Sequence, residues 1–172
     1  MWKIVRKTVD KFLEWILILL MAANVINVLW QVFTRFILKN PSSFTEELAR
    51  YLLIWVGLLG AAYASGKKMH LAIDIILENL KGAAKKTAEL TIQVFIFLFA
   101  LFVMVIGGIR LVTITLTLNQ ISAALRIKLG YVYLVIPISG ILILFYAAAF
   151  IMDSTSAEGK KREDKPTVQE GI

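Results

Sequence analysis

Four uncharged, strongly apolar stretches, residues 15–34, 52–65, 90–109 and 130–152, restrict this chain to one kind of fold. Backbone polar groups cannot go unpaired in hydrocarbon, so segments of this kind cross a bilayer as helices whose hydrogen bonds close internally. Crossing a core about 30 Å thick takes about 20 helical residues, and the first, third and fourth stretches reach that length unaided. The second becomes a full span only if residues 45–51 are included, which brings Glu46, Glu47 and Arg50 to one membrane boundary. At 59% apolar residues and a mean hydropathy of +0.76 over 172 residues, the chain has more apolar surface than an ordinary soluble domain buries. The expected fold is an all-α membrane protein with four transmembrane helices, over about residues 12–34, 45–65, 88–112 and 130–152.

Lysine and arginine set the expected orientation. Thirteen of them fall in the N-terminal segment, the connection between the second and third spans, and the C-terminal tail, against six on the other side. The positive-inside rule then places both termini in the cytoplasm, and most of the net charge of +7 is topological. Trp15 and Tyr63 fall toward that interface, and Trp30, Tyr51, Tyr131 and Tyr133 toward the opposite one. The basic residues flank membrane spans with no stacking platform, which argues against nucleic acid as a partner and for membrane lipids. The N-terminal basic-then-apolar pattern is read as an uncleaved first span, because it is long, contains Asn24 and Asn27, and has no small-residue cleavage site. With no cysteine, thiolate metal sites, disulfides and cysteine nucleophiles are excluded.

Ser43 and Glu46 have capping-box spacing just after Pro41, so a helix is expected to start there. Either Glu46 or Glu47 can then face Arg50 at a spacing of three or four, and a paired charge at a membrane boundary costs far less than a lone one. Asn24, Asn27 and Gln31 line one face of the first helix, either for hydrogen bonding between helices or as a polar substrate path. Gly57 with Ala61, and Gly60 with Ala64, are small-x-x-x-small pairs that admit a neighbouring helix, internal or from another subunit; a bulky residue at Gly57 or Gly60 is expected to weaken that packing. Gly107, Gly108 and Gly140 allow the same reading. Between the second and third spans, Ile73, Ile76, Leu77 and Leu80 recur at helical spacing, opposite Asp74, Glu78, Lys81 and Lys85. This pattern predicts a short amphipathic helix on the cytoplasmic surface, over about residues 70–86, begun by His70 four residues before Asp74. Residues 153–172 are charged and poor in apolar side chains, and are expected to be a disordered cytoplasmic tail.

Thr45-Glu46-Glu47-Leu48-Ala49-Arg50-Tyr51, then Trp55, Gly60-Ala61-Ala62 and His70-Leu71-Ala72-Ile73-Asp74, resemble the small four-helix membrane subunit of tripartite ATP-independent periplasmic (TRAP) transporters, the DctQ type. In length and span count the resemblance covers roughly residues 5–152, with its specific motif confined to 45–74. Leu125, Gly130, Tyr131 and Pro137 match loosely, and Arg126-Ile127-Lys128 departs from the pattern in being more basic. The resemblance implies a non-enzymatic, multi-pass subunit of a bacterial inner membrane that supports a large multi-span subunit. A periplasmic substrate-binding protein would deliver an organic acid such as a C4-dicarboxylate or sialic acid. It implies no cofactor in this subunit and places sodium ions in the large partner. Glu46, Glu47, Arg50 and Trp55 would then fix the start of the second helix and a partner contact, and His70 and Asp74 would orient the surface helix. Two other classes fit the size. An autonomous homodimeric exporter needs an ionisable group at mid-membrane depth, and the nearest acid, Glu14, sits at the edge of the first span. A haem-bearing redox subunit needs more ligands than the single histidine supplies.

Overall fold

In the computed structural model, residues 2–40, 42–67 and 83–163 are described. Among them the chain is helical: α1 (Trp2–Phe36), α2 (Ser43–Gly66), α3 (Ala83–Phe99), a π-helical segment (Ala100–Gly107), α4 (Gly108–Thr117), α5 (Leu129–Tyr133) and α6 (Val135–Glu163). No strand is present among these residues, only an isolated bridge between Ile121 and Lys128. Four segments are long and apolar enough to span a membrane: Ile4–Phe36, Ser43–Gly66, Thr87–Thr117 and Leu129–Phe150. His70, Asp74 and the surface-helix segment as far as residue 82 lie outside the described residues, while 83–86 form the start of α3. The last helix continues past Met152 to Glu163, into the stretch read as a tail, and 164–172 lie outside the description.

Local chemistry explains where the helices begin and bend. The second helix starts where the sequence places it, but not with the expected cap. Ser42, in an extended conformation, precedes the first turn, and Thr45 Oγ1 donates to the Ser42 carbonyl at 2.8 Å. The Ser43–Glu46 box does not form, because Ser43 is already inside the helix and Glu46 is turned to Arg50. The fourth span is interrupted between α5 and α6. Pro137 has no N–H for the Tyr133 carbonyl four residues earlier, so the regular ladder resumes only when Ile138 N–H donates to Leu134 at 3.3 Å.

Two side-chain clusters hold the spans together. Leu13, Leu59, Val135 and Tyr146 join the first, second and fourth spans; Ala62, Ala100, Met104 and Ile143 join the second, third and fourth. The second and fourth spans are therefore central, with α1 against one flank and the third span against the other. The third and fourth spans come close where residues are small: a Cβ on Gly140 would lie 2.7 Å from Met104 Cβ, and one on Gly108 would lie 3.0 Å from Pro137 Cδ. Met104 lies within the π-helical segment, so the local widening of the third span falls at this contact. Some buried hydroxyls are satisfied within their own helices, as when Thr115 Oγ1 donates to Leu111 O at 2.6 Å and Ser139 Oγ to Ile136 O at 2.9 Å, whereas Ser65 Oγ is buried without a partner among the described residues.

Candidate functional site: a carboxylate clamp and a polar lock at opposite ends

The start of α2 is tied to a distant loop by one carboxylate. Glu47 Oε1 accepts a hydrogen bond from the Tyr51 hydroxyl at 2.7 Å, one helical turn along. Its Oε2 accepts from two successive backbone N–H groups, Ala124 at 2.7 Å and Leu125 at 2.9 Å. An ionised carboxylate offers two oxygens and about four lone-pair directions, and bonds of this kind are about twice as strong as neutral ones. The clamped loop, 118–128, is closed by Ser122 N–H on Ile127 O at 2.9 Å, Arg126 N–H on Ser122 O at 3.1 Å and Leu129 N–H on Gln120 O at 3.0 Å. Arg126 takes a left-handed backbone (φ 55°) to make this closure. The basic Arg126-Ile127-Lys128 run is therefore the exposed returning arm of a structured turn.

The remaining residues singled out at this end divide by role. Of the two acids able to face Arg50, Glu46 does so, at 3.5 Å with both side chains about two-thirds exposed. Such a pair contributes about 0.5 kcal/mol or less. Trp55 is half-buried against the Leu13–Leu59–Val135–Tyr146 cluster. An apolar groove beside the clamp is bordered by Leu48, Tyr51, Trp55, Leu125 and Tyr131. On α1, Asn27 is buried and its Nδ2 donates to the Thr45 carbonyl at 2.7 Å, fastening the first helix to the first turn of the second. This is the hydrogen-bonding role considered for that face. Asn24 and Gln31 are half-buried along the same face. Gly57 and Gly60 meet no atom within 4 Å of an added Cβ, so the close approach expected at these positions does not occur within the described residues. Gly60 instead borders a shallow outward groove with Val56 and, from α1, Leu17, Met21 and Val25.

At the other end lies a cluster that sequence reasoning missed. Asp10 Oδ1 accepts from the buried Tyr146 hydroxyl at 2.6 Å, and Asp10 Oδ2 pairs with Lys67 Nζ at 3.5 Å. Arg6 donates to the Gly66 carbonyl and lies over the Tyr146 ring, 6.0 Å from its centroid. Lys67 also stands 5.3 Å from the Tyr63 ring centroid. Gly66 is required here, since a Cβ would fall 2.7 Å from the Tyr146 ring. The cluster locks the beginning of α1, the end of α2 and the middle of α6. Its one legible signal was an acid among the bases of the N-terminal segment. Tyr146→Phe is expected to cost about 1.5–3 kcal/mol, from loss of a hydrogen bond to a charged acceptor, and Asp10→Ala more, because it also strands Lys67 and the phenol. Thermal unfolding of the two variants in one detergent would check that order.

Comparison with known proteins places this bundle. Residues 24–156 match the family described as tripartite ATP-independent periplasmic transporters, DctQ component. The chain is 31% identical over 105 residues to the sialic acid TRAP transporter small permease protein SiaQ of Vibrio cholerae serotype O1, a match covering 61% of each chain. It is 25% identical over 161 residues to a putative TRAP transporter small permease protein of Haemophilus influenzae, covering 94% of this chain and 93% of the relative. It is 27% identical over 139 residues to the sialic acid TRAP transporter permease protein SiaT of another Haemophilus influenzae strain; that match takes in 81% of this chain but 22% of the relative.

Proposed function

Because this chain belongs to the DctQ component family of TRAP transporters, and is accordingly a multi-pass inner-membrane subunit and not an enzyme, we propose that it scaffolds a large multi-span permease subunit. That partner would carry out sodium-coupled import of an organic acid delivered by a periplasmic binding protein. The family match takes in α2, the Glu47 clamp, loop 118–128 and the membrane-spanning part of α6, and this observation carries the proposal. Glu47 is occupied in holding protein backbone, which suits a support more than an ion-coordinating site. The small share of SiaT that the match covers supports a role as one component of a larger permease assembly. Relatives named for sialic acid and for isethionate favour an organic acid, carboxylate or sulfonate, as the substrate. The lysine and arginine bias supports cytoplasmic termini, so the clamp, the groove beside it and the Arg126–Lys128 arm of the loop would face the periplasm. There they are placed to meet the large subunit or the binding protein. Sodium ions belong to the partner in this scheme.

Purification from source membranes in mild detergent, through a tag on this chain, tests the proposal. A stoichiometric large permease, with solute uptake in liposomes that needs both proteins and a sodium gradient, is the expected result. Recovery of this chain alone, folded and transporting a solute by itself, would overturn it in favour of an autonomous exporter.

A further inference from the structure

We infer that the outward face of α1 between Ile4 and Trp15 binds an anionic phospholipid, with its headgroup on Lys7 and Lys11 and an acyl chain along Phe12 and Trp15. Four basic residues near this end of the bundle, among those described, are of two kinds. Arg6 and Lys67 are turned inward, onto the Gly66 carbonyl and Asp10. Lys7 and Lys11 are exposed and, among the described residues, lie in no ion pair within 4 Å. At a spacing of four they share one helix face. With Ile4, Thr8, Phe12 and Trp15 they border a shallow concavity. Glu14 flanks this face without bordering the concavity, and it too is in no such pair.

Depth supports the assignment. The helix of 35 residues is about 52 Å long and exceeds a hydrocarbon core of about 30 Å, so its first turns stand outside the core. The uncharged run begins at Trp15, whose indole suits the interface. Lys11 then lies about 6 Å further along the axis, within a headgroup zone about 5–8 Å deep, and Lys7 about 12 Å, from where its long side chain can reach back to the phosphates. Phe12 and Trp15 are 65% and 62% exposed just inside that zone. From Lys7 inward the face thus runs from cations to aromatic surface, the order in which an anionic phospholipid presents phosphate and acyl chain. A protein helix seated on the same face would have to supply two acids at matching depth. A phospholipid supplies the charge and the apolar tail in one molecule.

Native mass spectrometry of the full chain, titrated with phosphatidylglycerol or with phosphatidylethanolamine of the same acyl chains, tests the site. Phosphatidylglycerol should be retained in preference, and K7Q/K11Q should weaken its binding about tenfold or more. Lys7→Arg with Lys11→Arg should restore binding, and Arg35→Gln with Lys39→Gln, at and just beyond the opposite end of α1, should leave it unchanged. Should K7Q/K11Q not fold, Lys11→Gln alone with the arginine pair gives the same contrast. Equal retention of the two lipids, undiminished binding in the glutamine variants, or displacement of the lipid by millimolar inorganic phosphate alone would each overturn the assignment.

Discussion

Glu47→Ala should release the 118–128 loop, and tryptic cleavage after Arg126 and Lys128 should quicken about tenfold or more, since cleavage follows the population of the opened loop. The substitution removes the acceptor of three hydrogen bonds at once, leaving the Tyr51 hydroxyl and the Ala124 and Leu125 N–H groups without it. Successive backbone donors facing the same way have no other acceptor to share, so the turn must rotate toward water to recover its hydrogen bonds. Two controls separate the clamp from a general effect of lost charge. Glu46→Ala removes only the exposed contact to Arg50 and should leave loop cleavage unchanged. Glu47→Gln keeps one acceptor oxygen but turns an amide N–H₂ toward one group of donors, so it should fall between wild type and Glu47→Ala. If the loop in Glu47→Ala resists trypsin as the wild type does, the internal hydrogen bonds of 118–128 suffice and the carboxylate is incidental. If the loop loosens, the same variant asks whether a partner reads it: uptake in the reconstituted assembly should drop while the four spans stay folded.

The spans were legible because hydropathy is a property of consecutive residues and needs no knowledge of neighbours. Asn27 was legible for a related reason: an amide on an apolar helix must find protein, and the Thr45 carbonyl is what it finds. The clamp could be read only by half. Glu47 stood out as an acid beside a span, but its partners are backbone N–H groups 77 and 78 positions away, and backbone amides carry no residue-type signal. The lock at the other end was hidden by separation as well, with 136 positions between Asp10 and Tyr146; Arg6 and Lys67 register in the sequence only as charges that set topology. The cap was misplaced by one residue because Ser42 and Ser43 are equivalent in type, and only backbone geometry selects Ser42. Small residues posed a harder problem. The spacing of Gly57, Gly60, Ala61 and Ala64 signals that a helix can come close, yet says nothing about which helix comes.

Gly140→Leu should destabilise the isolated chain by about 1–3 kcal/mol, the usual cost of forcing volume into a packed contact, whereas Gly57→Leu and Gly60→Leu should leave its stability within about 0.5 kcal/mol of wild type. At Gly140 even a Cβ would come within 2.7 Å of Met104 Cβ, 3.0 Å of Val105 Cγ2 and 3.3 Å of the Met104 carbonyl carbon. Backbone cannot turn aside as a flexible side chain can, so the third and fourth spans must separate, and the cluster containing Met104 and Ile143 loosens with them. At Gly57 and Gly60 nothing lies within 4 Å, and replacing glycine by leucine in a helix is favourable in itself. The distinction reassigns the seam on α2. The side chain introduced by Gly60→Leu would project into the groove bordered by Leu17, Met21 and Val25, a surface open to a neighbour. Thermal unfolding in detergent and recovery of the proposed large permease through a tag on this chain should therefore separate the two positions. Gly140→Leu should lower the unfolding temperature, while Gly60→Leu should preserve it and reduce partner recovery. Loss of stability in Gly60→Leu without any change in partner recovery would return that seam to internal packing and leave the partner to another face.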